Sequence, residues 1–251
     1  YITEGNIMKL KKVMALTMAG AMAATTLTAC GSSSSTTETT KAAETTAAAA
    51  ADTTAADNGS SDAETVLQVA FENSISEPVG QGWEKAQEII KEKSGGKMAI
   101  EIYPDSQLGD KSSLIDSMLL GENVCTLADG AFYADYGVPD FGIVFGPFLF
   151  DSWDQVWKLV DSDWYKEQCG KLEEKGLKII ASNWIYGERH TLTNVPVNTV
   201  DDLKGLKIRV PSNEIQSKGF DVLGATSTGM ALGDVYQALQ TKTIDGAENP
   251  L

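Results

Sequence analysis

Hydrophobic and polar positions alternate in two different ways along most of the chain after residue 64. Continuous or every-second apolar positions predict strands, whereas apolar residues three and four positions apart predict helices. The predicted strands cover 66–71, 98–103, 124–127, 177–181 and 205–210, and the predicted helices lie around 83–94, 114–120, 153–160, 214–223 and 234–241. Strands that alternate with helices predict an α/β fold with more than one strand in parallel.

The first 29 residues have a different pattern, that of an export signal. Residues 1–7 precede the first methionine, Met8, and are interpreted as non-native sequence or upstream read-through. Lysines then lead into a short apolar stretch, 13–24, which is too short to cross a bilayer stably. The run from Leu27 to Cys30 resembles the lipobox of bacterial lipoproteins, which predicts a signal peptide over 8–29 and a lipid on Cys30. An ordinary cleaved signal with a chance cysteine is the alternative.

Residues 30–64 are predicted to be a disordered linker behind the lipidated cysteine. Of the 34 residues in 31–64, 24 are Ser, Thr or Ala, and none is aromatic, Val, Ile, Leu or Met. Such a composition buries too little apolar area to offset the entropy lost on ordering. The pattern therefore predicts a lipid anchor, a flexible tether and then a folded body.

The net charge and the small number of arginines limit the classes of ligand that we expect. The chain carries 35 acidic and 20 basic residues, a formal net charge of −15, which opposes binding to nucleic acid. Only two of the basic residues are arginines, Arg189 and Arg209. The planar guanidinium can hold a carboxylate through two parallel hydrogen bonds, which lysine cannot do. The two arginines are either surface residues in weak ion pairs or parts of a carboxylate site, and their count alone does not decide between these alternatives.

Linked motifs favour the carboxylate site. They lie at 103–109 (YPDSQLG), 202–211 (DLKGLKIRVP), 223–225 (LGA), 234–241 (DVYQALQT) and 245–251 (DGAENPL). In this order and at these spacings they closely resemble the DctP-type substrate-binding proteins of tripartite ATP-independent periplasmic (TRAP) transporters. The resemblance covers the whole predicted folded body, 65–251.

The resemblance implies a two-domain, periplasmic-binding-protein-like fold whose ligand lies in a cleft between the domains. It implies that Arg209 and Arg189 hold the carboxylate of an organic acid, that Asn249 adds a hydrogen bond and that Asp129 reaches ligand hydroxyls. Arg209 also stands near the carboxyl end of a predicted strand, where ligands of open α/β sheets tend to bind. No cofactor and no metal are implied.

The resemblance also implies the domain limits and the partners. A first domain over 65–186 and a second over 187–251 are expected, the second incomplete because relatives continue past the DGAENPL motif. The ligand is expected to be a dicarboxylate, keto acid, uronate or aromatic acid. The expected partners are the small and large permease subunits, at the outer face of the cytoplasmic membrane or in the periplasm, with the lipid as membrane anchor.

The residues give less support to a metal site, to catalysis or to a sensor function. His190 is the only histidine, and its neighbours do not have the spacing of a metal site or a catalytic triad. An enzyme for acidic sugars and a ligand sensor for a membrane receptor remain alternatives to transport. Among the aromatic residues, Phe132 and Tyr133 are expected to line the cleft. Core packing is expected for Phe141, Phe145, Phe148 and Phe150. It is also expected for Trp184 and Tyr186, for which stacking on a ligand ring is the alternative.

Overall fold

The computed structural model describes residues 62–250, in which strands and helices alternate as an α/β fold. The strands are β1 (Thr65–Ala70), β2 (Met98–Tyr103), β3 (Val124–Cys125), β4 (Arg189–Thr193), β5 (Lys207–Val210), β6 (Thr226–Gly229) and β7 (Gly246–Pro250). The helices are α1 (Pro78–Lys93), α2 (Lys111–Leu119), α3 (Gly130–Asp135), α4 (Trp153–Val160), α5 (Asp163–Glu174), α6 (Glu214–Val222) and α7 (Val235–Gln240). The predicted export signal, the lipid on Cys30 and nearly all of the linker lie outside the described residues.

The first sheet is parallel and has the strand order β2-β1-β3. The central strand β1 buries Val69 and Ala70, and Phe71 directly after it is 2% exposed. Helix α1 covers this sheet through Val79 and its partly buried apolar neighbours, which pack against Ile100 and Ile102 of β2. Parallel strands need such covered faces, which explains the continuous apolar run in β1.

The second sheet has the order β4-β7-β5-β6. Strand β5 is parallel to both β6 and β7, whereas β4 runs antiparallel to β7. Ile208 and Val210 of β5 are fully buried, and Leu203, Ala225 and Phe220 pack around Ile208. This packing holds β5, and with it Arg209, at the centre of the sheet.

Side-chain caps mark the starts of the helices nearest to these strands. Asp110 accepts a hydrogen bond from the backbone of Ser113 at 2.8 Å, Asp129 from Ala131 at 3.0 Å and Asn213 from Gln216 at 2.9 Å. Each satisfies a backbone donor that the first turn of a helix leaves unpaired. The caps therefore fix where α2, α3 and α6 begin.

Most predicted elements are confirmed, but the strand over 177–181 is wrong. The segment has no strand partner among the described residues, and only Leu177 is buried, whereas Ile180 is 75% exposed. A β-strand is defined by its ladder to a neighbour, so an apolar run without a neighbouring strand does not form one.

Three of the expected core aromatics are also placed differently. Phe141 is fully buried, but Phe148 is fully exposed in a turn with a positive φ of 56°. Trp184 and Tyr186 are exposed by 38% and 43%, although Trp184 stacks on Trp83 with ring centroids 4.8 Å apart. Apolar character alone did not distinguish these turn and coil positions from the core. Within residues 62–250, no helix has the length and apolar character needed to cross a membrane.

Candidate functional site

A pocket lies where the carboxyl ends of β1, β5 and β6 face the start of α2. The first sheet and its helices contribute Glu72, Asp110, Lys111, Ser112 and Phe132, and the second sheet contributes Arg209, Pro211, Ser212, Met230 and Ala231. Open α/β sheets characteristically bind ligands at these strand ends. Elements from both sheets thus converge on one polar pocket with an arginine in its wall.

Two backbone carbonyls hold Arg209 in this wall, one in strand β7 and one directly after strand β6. Its Nε donates to the carbonyl of Met230 at 2.9 Å, and its Nη1 donates to the carbonyl of Glu248 at 3.2 Å. Within residues 62–250 its Nη2 makes no hydrogen bond. The residue is only 2% exposed, so the guanidinium is oriented before any ligand arrives.

Burial also sets the electrostatics of Arg209. Loss of water lowers the pKa of its guanidinium, while the carboxylates of Glu72 and Glu248 act in the opposite direction. An arginine pKa lies so far above neutrality that the group stays charged. The pocket wall therefore carries a positive charge that is poorly solvated, a state that favours an anion beside it.

The second arginine, Arg189, holds a carboxylate of this same chain. Its Nε and Nη2 both donate to the carboxylate of Glu248, Nη2 at 2.6 Å, in the two-bond arrangement that was expected for a ligand. The Arg189 guanidinium also lies over the Phe145 ring, 5.5 Å from its centroid. Glu248 in addition accepts from Gln216 at 3.0 Å. Glu248 therefore connects Arg189, Arg209 and Gln216.

Asn249 and His190 lie opposite each other on paired strands. Strand β7 places Asn249 next to Glu248 in sequence, and the antiparallel register pairs it with His190 of β4. Asn249 is half-buried and His190 is exposed. Neither residue is in the wall of the pocket that holds Arg209.

Asp129 lies beside the pocket, engaged with groups of its own half. One oxygen caps α3, and the other lies 3.6 Å from the ammonium of Lys111. Lys111 also lies over the Phe132 ring, 4.7 Å from its centroid. Phe132 and Lys111 line the pocket, whereas Tyr133 packs in the core against Phe141. The expectation for Phe132 is thus confirmed, and the one for Tyr133 is wrong because its ring turns inward.

Hydrogen bonds join the two halves around the pocket. Glu72 accepts from the backbone of Leu232 at 2.9 Å, and Asp135 accepts from the backbone of Glu214 at 2.9 Å. Both acceptor carboxylates belong to the half with the first sheet, and both backbone donors belong to the half with the second sheet. Within the expected first domain, Tyr186 also donates its hydroxyl to Asn73 at 3.1 Å. The two bonds between the halves fix the opposing walls at their present distance.

Sequence reasoning did not identify Glu248, Glu72 and Lys111 as parts of this region. Glu248 belongs to the quoted DGAENPL motif, but strand β7 was not predicted, so the burial of this carboxylate and its need for a cation could not be deduced. Glu72 directly follows a buried strand, at the end where pockets form, which was a readable signal. Lys111 offered no such signal, because one lysine in a helical first turn is ordinary. Within residues 62–250, no cluster of three or more His, Cys, Asp or Glu side chains is placed to hold a metal ion.

Comparison with known proteins supports the resemblance. The family model described as bacterial extracellular solute-binding protein, family 7 (DctP), matches residues 69–251. The C4-dicarboxylate-binding periplasmic protein DctP of Rhodobacter capsulatus is 33% identical over 173 residues, which cover 69% of this chain and 52% of that protein.

Solved structures agree with the family model. A TRAP periplasmic solute-binding protein from Ochrobacterium anthropi with bound L-fuconate is 41% identical, has a TM-score of 0.72, and matches across 74% of this chain and 62% of its own. One from Actinobacillus succinogenes with bound L-galactonate is 36% identical, has a TM-score of 0.71, and matches across 74% and 61%.

The chain spans about half the length of its curated relative and less than two thirds of the solved ones. The expected periplasmic-binding-protein type of α/β fold is nevertheless confirmed by the structural match, and the family model covers most of the chain. This chain belongs to family 7 of the bacterial extracellular solute-binding proteins, the DctP family of TRAP-type receptors.

Proposed function

We propose that the protein captures a small organic acid in the pocket beside Arg209 and delivers it to a TRAP permease. The observation that carries this proposal is the state of Arg209. It is buried, held by two backbone carbonyls, and has Nη2 unbonded among the described residues, at a pocket between the two sheets.

The geometry of the Arg209 guanidinium, and not its charge, favours a carboxylate over other anions of similar charge. A guanidinium in a fixed plane offers parallel donors that match the two oxygens of a carboxylate. Because Met230 and Glu248 already hold two of its nitrogens, little side-chain entropy is lost on binding. Such a charge-assisted contact contributes about 1.5–3 kcal/mol.

Names of the relatives support the ligand class. The protein from Rhodobacter capsulatus is named for C4-dicarboxylates, and the two solved proteins hold L-fuconate and L-galactonate. All of these ligands carry a carboxylate. The proposal extends that shared group to this chain, and the protein acts by binding rather than by turnover.

Other predicted site residues enter the proposal in specific ways. Arg189 contacts the ligand only if its pair with Glu248 opens or if the ligand reaches one of its remaining N–H donors. Asn249 contributes from the strand end beside Glu248, and Asp129 acts at the pocket edge through Lys111. The domain limit near residue 187 fits the start of the second sheet at Arg189. Export, lipidation of Cys30 and contact with both permease subunits complete the proposed arrangement.

A thermal-shift screen of carboxylic acids tests the proposal. Ligands that bind only the folded state raise the melting temperature, by an amount that follows their concentration over their Kd. We expect one class of acid to raise the melting temperature, and the corresponding amides and alcohols not to. A cooperative melt that no acid shifts would refute the carboxylate site.

A further inference from the structure

The charged groups across the pocket from Arg209 indicate which chemical groups the rest of the ligand should carry. Glu72 lines the same pocket from the opposite half of the protein. One of its oxygens accepts from the backbone of Leu232 at 2.9 Å, and within residues 62–250 the other oxygen accepts no hydrogen bond. The two side chains form no direct ion pair among the described residues, although the negative charge of Glu72 favours the charged form of Arg209 and so raises its pKa.

The positive charge of the neighbouring lysine is largely balanced. Lys111 lies 3.6 Å from Asp129 and 4.7 Å from the centre of the Phe132 ring. Asp110, the other acidic lining residue, uses a carboxylate oxygen to cap α2. Away from Arg209, the pocket thus presents one carboxylate oxygen each of Glu72 and Asp110 that accepts no hydrogen bond among the described residues, together with the hydroxyl-bearing residues Ser112 and Ser212.

From this arrangement we infer that Glu72 is a specificity-determining residue that selects acids with one carboxylate and several hydroxyls over dicarboxylates. The inference rests on the proposed function, because it assumes that Arg209 holds the first carboxylate. A ligand hydroxyl donates to the carboxylate of Glu72, whereas a second ligand carboxylate meets a like charge. Rejection by an unfavourable charge is an effective source of specificity.

Matched pairs of sugar acids isolate this effect. Galactonate and galactarate differ only at the last carbon, which is a hydroxymethyl group in galactonate and a carboxylate group in galactarate. The pairs gluconate with glucarate and mannonate with mannarate differ in the same way. Isothermal titration calorimetry with these six acids, and with succinate, gives the ratio of Kd values within each pair.

We expect the native protein to bind at least one aldonate about tenfold or more tightly than its aldarate. Glu72→Gln keeps an oxygen that can accept from Leu232 but removes the charge, so this ratio falls several-fold. Glu84→Gln, on the exposed face of α1, changes the net charge equally and leaves the ratio unchanged. A melting curve for each variant verifies folding, and Glu72→Asp, which restores the charge, recovers the native preference.

The outcomes separate the inference from the proposed function. If the aldarates or succinate bind as tightly as the aldonates, or if Glu72→Gln leaves the ratio unchanged, the role of Glu72 is refuted while the carboxylate receptor stands. If neither these acids nor any acid of the wider screen binds, the proposed function itself is refuted, and the inference with it.

Discussion

At the residue scale, the two arginines have different roles in the structure despite their common chemistry. Arg209 was expected to hold a ligand carboxylate, because of the family resemblance and its place near the carboxyl end of a predicted strand, and it lies buried in the wall of the pocket. Arg189 was expected to bind the same ligand carboxylate, yet two of its N–H groups donate to Glu248 of the same chain. A single sequence gives no distance between strands β4 and β7, so this intramolecular pairing could not be deduced. Glu248 thereby becomes the residue through which the two arginines are connected.

Removing the charge of Glu248 tests how much this connection contributes to the stability of the fold. Its side chain is 6% exposed and that of Arg189 is 25% exposed, so water replaces the lost contact poorly. We expect Glu248→Gln to lower the free energy of unfolding by about 1–3 kcal/mol, as measured by urea denaturation.

The control for Glu248→Gln is Glu214→Gln, which removes a charge at a pair whose side chains are 63% and 70% exposed. Exposed ion pairs contribute little, so this change should stay within about 0.5 kcal/mol. Equal effects of the two substitutions would show that the Arg189–Glu248 pair has no special structural role.

At the element scale, periodicity predicted most strands and helices that have many apolar positions. It missed helix α5 and the short elements α3, β4, β6 and β7, in which Gly, Thr and other polar or charged residues replace the apolar pattern. These elements exist because neighbouring strands and helices supply their hydrogen bonds and contacts. The same dependence explains the wrong strand at 177–181, where the apolar pattern is present but a neighbouring strand is not. The missed elements that adjoin the pocket, α3 and β6, are thus defined mainly by tertiary contacts.

The packing of α3 depends on Gly130, its first residue. A Cβ at this position would clash with the carbonyl oxygen of Phe141 and with the side chain of Val144. Gly130→Ala should therefore lower the free energy of unfolding by about 1–3 kcal/mol, the usual cost of overpacking. Denaturant unfolding followed by circular dichroism measures it.

Gly170, inside α5, provides the matched control, because a Cβ there would have no neighbouring atom within 4 Å. Alanine in a helix interior restricts the unfolded chain, so Gly170→Ala should stabilise by about 0.4–1 kcal/mol. Opposite signs for the two alanine substitutions are the expected result. A neutral or stabilising Gly130→Ala would mean that α3 packs less closely than the structure has it.

At the scale of the whole molecule, linked motifs predicted more than any single residue did. They identified the family and the α/β fold, which the family model and the solved structures confirm. Apart from Arg209 and Pro211, they did not predict the residues of the pocket wall, because Glu72 and Lys111 come from segments outside the quoted motifs. With a formal net charge of −15, the chain repels anions at long range, so the proposed capture of an acid depends on the local field at Arg209.

The most direct test of the account is calorimetric titration of Arg209→Lys with the tightest-binding acid of the thermal-shift screen. Lysine keeps the charge but loses the fork and cannot reproduce both backbone contacts, so affinity should fall about 10–100-fold. Lys207→Arg, on the same strand but exposed, serves as the charge-conserving control and should leave affinity unchanged. Native affinity in Arg209→Lys, with the variant folded, would contradict the claim that Arg209 holds the ligand carboxylate.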